Sequence, residues 1–76
     1  MILPTKHLKT EQSLLGVGAL LLARLRRSMT VSGLWEAVKA EPSVGSYPRF
    51  ILALDLLYAL DAIELQNGFL MRRRRR

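Results

Sequence analysis

Apolar residues along this chain fall into three stretches of helical spacing and one of strand spacing. From Leu14 they recur at Val17, Gly18, Leu21 and Leu25, with Leu15 and Leu22 widening the stripe. Steps of three and four residues mark one face of a helix. Thr10, followed by Glu11 and Gln12, reads as the cap and first turn of that helix. A hydroxyl there accepts from an exposed backbone N–H, and the helix dipole favours acidic side chains. Val31, Leu34, Trp35 and Val38 repeat the spacing after Thr30, which reads as a second cap. Ser28-Met29-Thr30 between them is a short link, with room for a brief strand. The stretch EPSVGSYP, residues 41–48, is rich in breakers and reads as a loop. Pro48 suits the first turn of a third helix over about residues 48–60, where its missing N–H is not needed.

The third helix is apolar nearly all round. Phe50, Ile51, Leu54, Leu57 and Tyr58 form one face, and Leu52, Leu56 and Leu60 continue around the other. Only Arg49, Asp55 and Asp61 interrupt. Such a helix needs cover on most sides, and two other helices and a hairpin do not supply it. Trp35 and Phe50 are assigned to the core. A leftover apolar patch is therefore expected on Leu52, Asp55, Leu56 and Leu60, and a contiguous patch on a small domain marks a partner surface.

After Asp61-Ala62 the period changes to that of a strand, and Asn67-Gly68 is a strong hairpin signal. Two registers compete. A two-residue loop pairs Leu65 with Leu70 and sends Phe69 and Met71 to the face opposite Ile63 and Leu65. A three-residue loop, with Gly68 left-handed in a bulge, pairs Leu65 with Phe69. It gathers Ile63, Leu65, Phe69 and Met71 on one face and leaves Leu70 outside. Register follows the apolar pattern, which favours the three-residue loop and makes Leu70 an exposed wing contact. The fold class is then mainly α with a small β-hairpin: a winged helix-turn-helix of three helices plus wing. Residues 1–9 read as an N-terminal arm, 10–71 as the domain and 72–76 as a disordered poly-Arg tail.

Size and composition narrow the chemistry. A chain of 76 residues is one domain, burying roughly 60% of its unfolded surface. It has no cysteine, which excludes disulfides and cysteine-rich zinc modules. One histidine and six scattered carboxylates argue for no metal site, and nothing calls for a cofactor. The longest apolar runs, residues 14–23 and 50–63, fall short of the ~20 residues that span a bilayer. The start, MILPTKHLK, lacks the order of a signal peptide. These features read as a cytoplasmic protein with no membrane partner. For catalysis the inventory is poor. His7 has no acid or serine placed beside it, and a base needs a partner in reach. Gly16 and Gly18 lie inside an apolar helix rather than after a strand, so they read as close-packing positions, not a phosphate cradle. The expectation is that the chain is not an enzyme.

The net charge of +6 suggests nucleic acid until it is mapped. Five of the charges are Arg72, Arg73, Arg74, Arg75 and Arg76, and without them seven basic residues face six acidic ones. Arg24, Arg26 and Arg27 fall near the last turn of the first helix, where cations complement the dipole. A base-reading third helix would offer Arg, Lys, Asn or Gln to the major groove, whereas this one offers Arg49 at its start and then leucines around Asp55. The arginine tail and the cluster at Arg24, Arg26 and Arg27 remain candidates for sequence-blind phosphate contact.

The stretches LPTKH, SLLGVGALLL, TVSGLWEAV, ILALDLLYALDAIEL and NGFL resemble the sixth kind of middle component of ABC-three-component systems, over about residues 3–70. The resemblance implies a small winged helix-turn-helix protein from a bacterial three-gene cassette acting against phages and other invading DNA. Its partners would be an ABC ATPase of the SMC and Rad50 class and a larger effector or sensor component, with the middle component joining the two as an adaptor. RLRRSM and the arginine tail are not part of the pattern that carries the resemblance. Set beside the adaptor are a small DNA-binding regulator or nucleoid-type protein, and a homodimer that hides the apolar helix against a second copy.

Overall fold

Thr30 ends one element and begins the next, and the architecture follows from junctions of this kind. The computed structural model describes the backbone of residues 5–73 and the side chains of residues 14–73. The order is α1 (Thr5–Arg24), β1 (Met29–Thr30), α2 (Val31–Val38), α3 (Tyr47–Ala59), β2 (Ile63–Gln66) and β3 (Phe69–Arg72). Three helices and a three-stranded antiparallel sheet, in the order β1-β3-β2, make a winged helix-turn-helix arrangement. The Thr30 hydroxyl accepts from the Gly33 N–H at 2.9 Å, capping α2 while the same residue pairs with Phe69 in the sheet. Ser46 caps α3, and Pro48 stands in its first turn.

The core is continuous across all these elements. Val17, Leu21 and Leu25 of α1 and its end, Leu34 and Val38 of α2, Phe50, Ala53, Leu54 and Leu57 of α3, and Ile63 and Leu70 of the wing are buried together. Each such aliphatic or aromatic side chain contributes roughly 1.5–3 kcal/mol when fully buried. Val44 joins them from the loop, with no exposed surface. Arg49 holds that loop in place by donating to the Val44 and Ser43 carbonyls at 3.1 Å each. Trp35, Tyr47 and Phe50 pack together edge-to-face or tilted, with ring centroids 5.2–5.6 Å apart. Phe50 is fully buried and Trp35 half-buried. Tyr58, grouped above with the inward face of α3, is 48% exposed.

The first helix departs from its expected bounds at both ends. It begins at Thr5, so Thr10 is inside it rather than at its cap, and residues 5–9 are helical rather than an arm. Those residues contain no Gly or Pro, and Lys6, Leu8 and Lys9 are good helix formers. Residues 1–4 and the Thr10 side chain lie outside the described residues. At the other end α1 stops at Arg24, and Arg26 and Arg27 follow it in a bend. The charge that meets the carbonyls of the last turn comes from β3, distant in sequence. Arg72 donates to the Leu22 carbonyl through Nε at 3.1 Å and Nη2 at 2.6 Å. Arg24 instead reaches the Ala37 carbonyl in the last turn of α2 at 3.0 Å and the Glu41 carboxylate at 2.7 Å. Arg72 is thus a strand residue, and the Arg73 N–H donates to the Ala62 carbonyl at 2.8 Å. Of the poly-Arg stretch, residues 74–76 lie outside the described residues.

The end of α3 also has a defined chemistry. The Ala62 N–H returns to the Leu57 carbonyl at 2.8 Å and the Asp61 N–H to the Tyr58 carbonyl at 3.0 Å. With Asp61 left-handed at φ 64°, this is a Schellman closure in which aspartate takes the place usually held by glycine. It turns the chain directly into β2.

The hairpin adopts the register that its apolar pattern disfavours. Leu65 pairs with Leu70 and Gln66 with Phe69, leaving a two-residue loop. Asn67 and Gly68 both have positive φ, 54° and 82°. That is the turn whose twist matches the strands it joins. The third strand reinforces the choice, since Met29 pairs with Leu70 and extends the inward face. As a result Leu70 is buried at 3% exposure and Phe69 is 45% exposed, the reverse of the expectation.

Among the glycines of α1, only Gly18 is a close-packing position. A Cβ there would meet Leu57 Cδ2 at 3.1 Å, whereas one on Gly16 would meet nothing within 4 Å. Two glycine substitutions should therefore shift stability in opposite directions. Gly16→Ala, in an exposed helix interior, is expected to raise the unfolding free energy by about 0.5–1 kcal/mol. Gly68→Ala, forced into a left-handed conformation, should lower it by about 1 kcal/mol. Denaturant titration of the two variants measures both. In the same assay Arg72→Met, which keeps an apolar stem and loses the bonds to Leu22, should cost about 1 kcal/mol.

Candidate interaction surfaces

Helical spacing puts Leu52, Leu56 and Leu60 on one side of α3, in steps of four residues. Their neighbours come from the middle of α1. Leu14, Leu15, Leu56 and Leu60 line a shallow depression of about 270 Å³. Leu52, Leu60 and Leu15 are 53%, 56% and 51% exposed, while Leu56 and Leu14 are half-buried. Asp55 is exposed and flanks the row. The α3 residues singled out from sequence therefore form one surface. Leu14 and Leu15 extend it, although their spacing groups them with the buried stripe of α1. A wheel drawn for α1 alone separates Leu15 from Val17 and Leu21, which was the available signal.

Leu70 does not belong to this surface. It is buried in the core, because the two-residue turn rotates it inward. The exposed apolar residues of the wing are Leu65 and Phe69.

The arginines converge elsewhere. Leu25, Arg26, Arg27 and Ser28, from the link after α1, face Glu64, Met71, Arg72 and Arg73 of the wing across an open groove of about 470 Å³. Arg26 also lines two adjoining depressions, one with Arg24, Arg27 and Met29 and one with Ala23 and Arg72. Two clusters separated by more than forty residues in sequence thus share one end of the molecule. Their partners differ. Arg24 and Arg72 are engaged as described, and Arg73 lies 3.6 Å from the Asp61 carboxylate. Among the described residues, Arg26 and Arg27 make no ion pair or hydrogen bond. Arg74, Arg75 and Arg76 are outside the described residues.

Among the described residues no polar or charged side chain is buried, and no group of three or more His, Asp or Glu could hold a metal ion. His7 belongs to α1, with its side chain outside the described residues. No helix of the described residues is long and apolar enough to cross a membrane.

No curated protein and no solved structure matches the chain. A family model does, over residues 3–74; its description is ABC-three component (ABC-3C) system Middle Component 6. That span takes in every helix and strand of the fold, the apolar row on α3 and the groove beside the wing alike. The chain belongs to the Middle Component 6 family of ABC-three component systems.

Proposed function

We propose that this protein is a noncatalytic adaptor in a bacterial complex directed against phages and other invading DNA. It links an SMC/Rad50-like ABC ATPase to an effector or sensor component of the same cassette, in the cytoplasm. Membership in a multi-component ABC system supports the existence of protein partners. The observation that carries the adaptor reading is the row Leu52, Leu56 and Leu60. It lies open on α3 and is extended by Leu14 and Leu15, on a domain whose core is already filled without it. Large apolar side chains grouped on a small domain are a cost in water unless a partner covers them. Asp55 at the edge supplies a polar rim of the kind that fixes register in an interface.

A regulator that reads bases is the weaker alternative. The outward side of α3 offers Leu52, Asp55, Leu56, Tyr58 and Leu60, none of them a strong reader of base edges in the major groove.

The test is assembly. Leu52→Asp combined with Leu60→Asp changes two exposed side chains, so the domain should keep its circular dichroism and melting temperature. Co-purification with the cassette's ATPase and third component should fall by roughly 100-fold in affinity, the scale of losing central apolar anchors. Unchanged assembly by a folded double variant would rule out this surface. A homodimer through the same row would appear as a dimer in light scattering of the isolated chain, converted to monomer by the same substitutions.

A further inference from the structure

The groove at the end of α1 is separate from the adaptor row and has the opposite chemistry. Leu15 and Arg26 lie about eleven residues apart along the chain, most of that path helical, which at 1.5 Å per residue is roughly 15 Å. Around the groove every cation is an arginine: Arg26 and Arg27 on one wall, Arg72 and Arg73 on the other. One carboxylate, Glu64, lines it. Since the rest of the chain is near neutral, this end carries the described part of the molecule's excess charge. Three more arginines follow Arg73 in sequence.

We infer that this groove, built from Arg26, Arg27 and Arg73 with Arg72 as its anchored floor, binds the phosphate backbone of nucleic acid without reading sequence. Three features favour phosphate over an acidic protein surface. Guanidinium groups present paired donors in a plane that matches two phosphate oxygens. Of the residues that line the groove only Leu25 and Met71 are apolar, and Leu25 is buried, so the groove has no cluster of large apolar side chains of the kind that centres a protein interface. Arg26 and Arg27 are also exposed and without partners among the described residues, so binding through these two breaks no existing ion pair, whereas Arg73 would exchange the Asp61 carboxylate for phosphate. The mode differs from groove reading by a recognition helix, because α3 takes no part in it. Phe69 does not line the groove but is exposed two positions before Met71, on the same face of β3, and so offers an aromatic ring to a strand that runs on past the groove.

The experiment uses the full chain and fluorescence anisotropy with a labelled mixed-sequence DNA duplex, the same strand unpaired, and an RNA of that sequence, each across a salt series. Binding should be insensitive to sequence, and the log–log salt slope should reflect about 0.9 per phosphate neutralised on duplex. Arg26→Ala with Arg27→Ala is expected to weaken binding roughly tenfold on every sequence and to reduce that slope by about two. Lys39→Ala, which removes a charge elsewhere, should leave both unchanged. A preference for the single strand that is lost in Phe69→Ala identifies the unpaired form as the ligand, and equal binding of duplex and single strand identifies the backbone alone. The inference fails if the Arg26/Arg27 variant binds like the parent while Arg74→Ala, Arg75→Ala and Arg76→Ala together abolish binding. It fails equally if no nucleic acid binds, or if polyglutamate competes as well as nucleic acid of equal charge, which would make the groove a protein-docking site.

Discussion

The packing of α3 across α1 is the contact on which the rest of the domain depends. It is close because Gly18 has no side chain to hold Leu57 away, and Val17 and Leu21 flank that point as fully buried neighbours. With α3 seated there, its inward residues Phe50, Ala53, Leu54 and Leu57 meet α1, α2 and the wing at once. The same seating decides what is left over. A helix with leucines on both sides can bury only one of them against a single neighbour, and among the described residues there is no fourth helix to cover the other. The apolar row is therefore a geometric consequence of the core, not a separate ornament.

Arginine supplies the second organising theme. Arg24 reaches a carbonyl of α2, Arg49 the carbonyls of the connecting loop, and Arg72 a carbonyl of α1. Each ties one element to a backbone carbonyl of another segment. Guanidinium suits the task because its several donors lie in one plane. Among the described residues, what looks in composition like a single basic character is divided between these braces, the ion-paired Lys39 and Arg73, and the two cations, Arg26 and Arg27, that remain open to solvent. Net charge alone does not reveal that division, since both kinds count equally.

Much of the fold was legible because its signals are local. The Thr30 cap, the apolar face of α2, the helix start at Pro48 and the apolar excess of α3 each depend on residues within a few positions of one another. The misread start of α1 is local as well, but the misreadings that move a side chain into or out of the core involve partners distant in sequence. The hairpin register turned on the twist of the Asn67-Gly68 turn and on Met29 pairing with Leu70, neither of which the alternation of apolar residues encodes. The alternation alone therefore puts Leu70 outside, whereas the observed pairing buries it. Val44 sits among loop-forming residues, and only the surrounding helices make it core. The arginine groove was invisible for the same cause: its walls come from residues 26–27 and 72–73, which nothing local associates.

The bond from Arg72 to the Leu22 carbonyl joins positions 50 residues apart. Contacts of such long sequence separation form only after the intervening chain has lost much of its freedom. The helical turns and the two-residue hairpin rest on local contacts, whereas this bond exists only once the end of β3 lies against the end of α1. β3 is also the central strand, paired with β1 on one side and β2 on the other. The guanidinium therefore fastens the whole sheet to α1 through the strand that holds the sheet together. In mechanical terms the hairpin is a latch, and the arginine at its end is the catch.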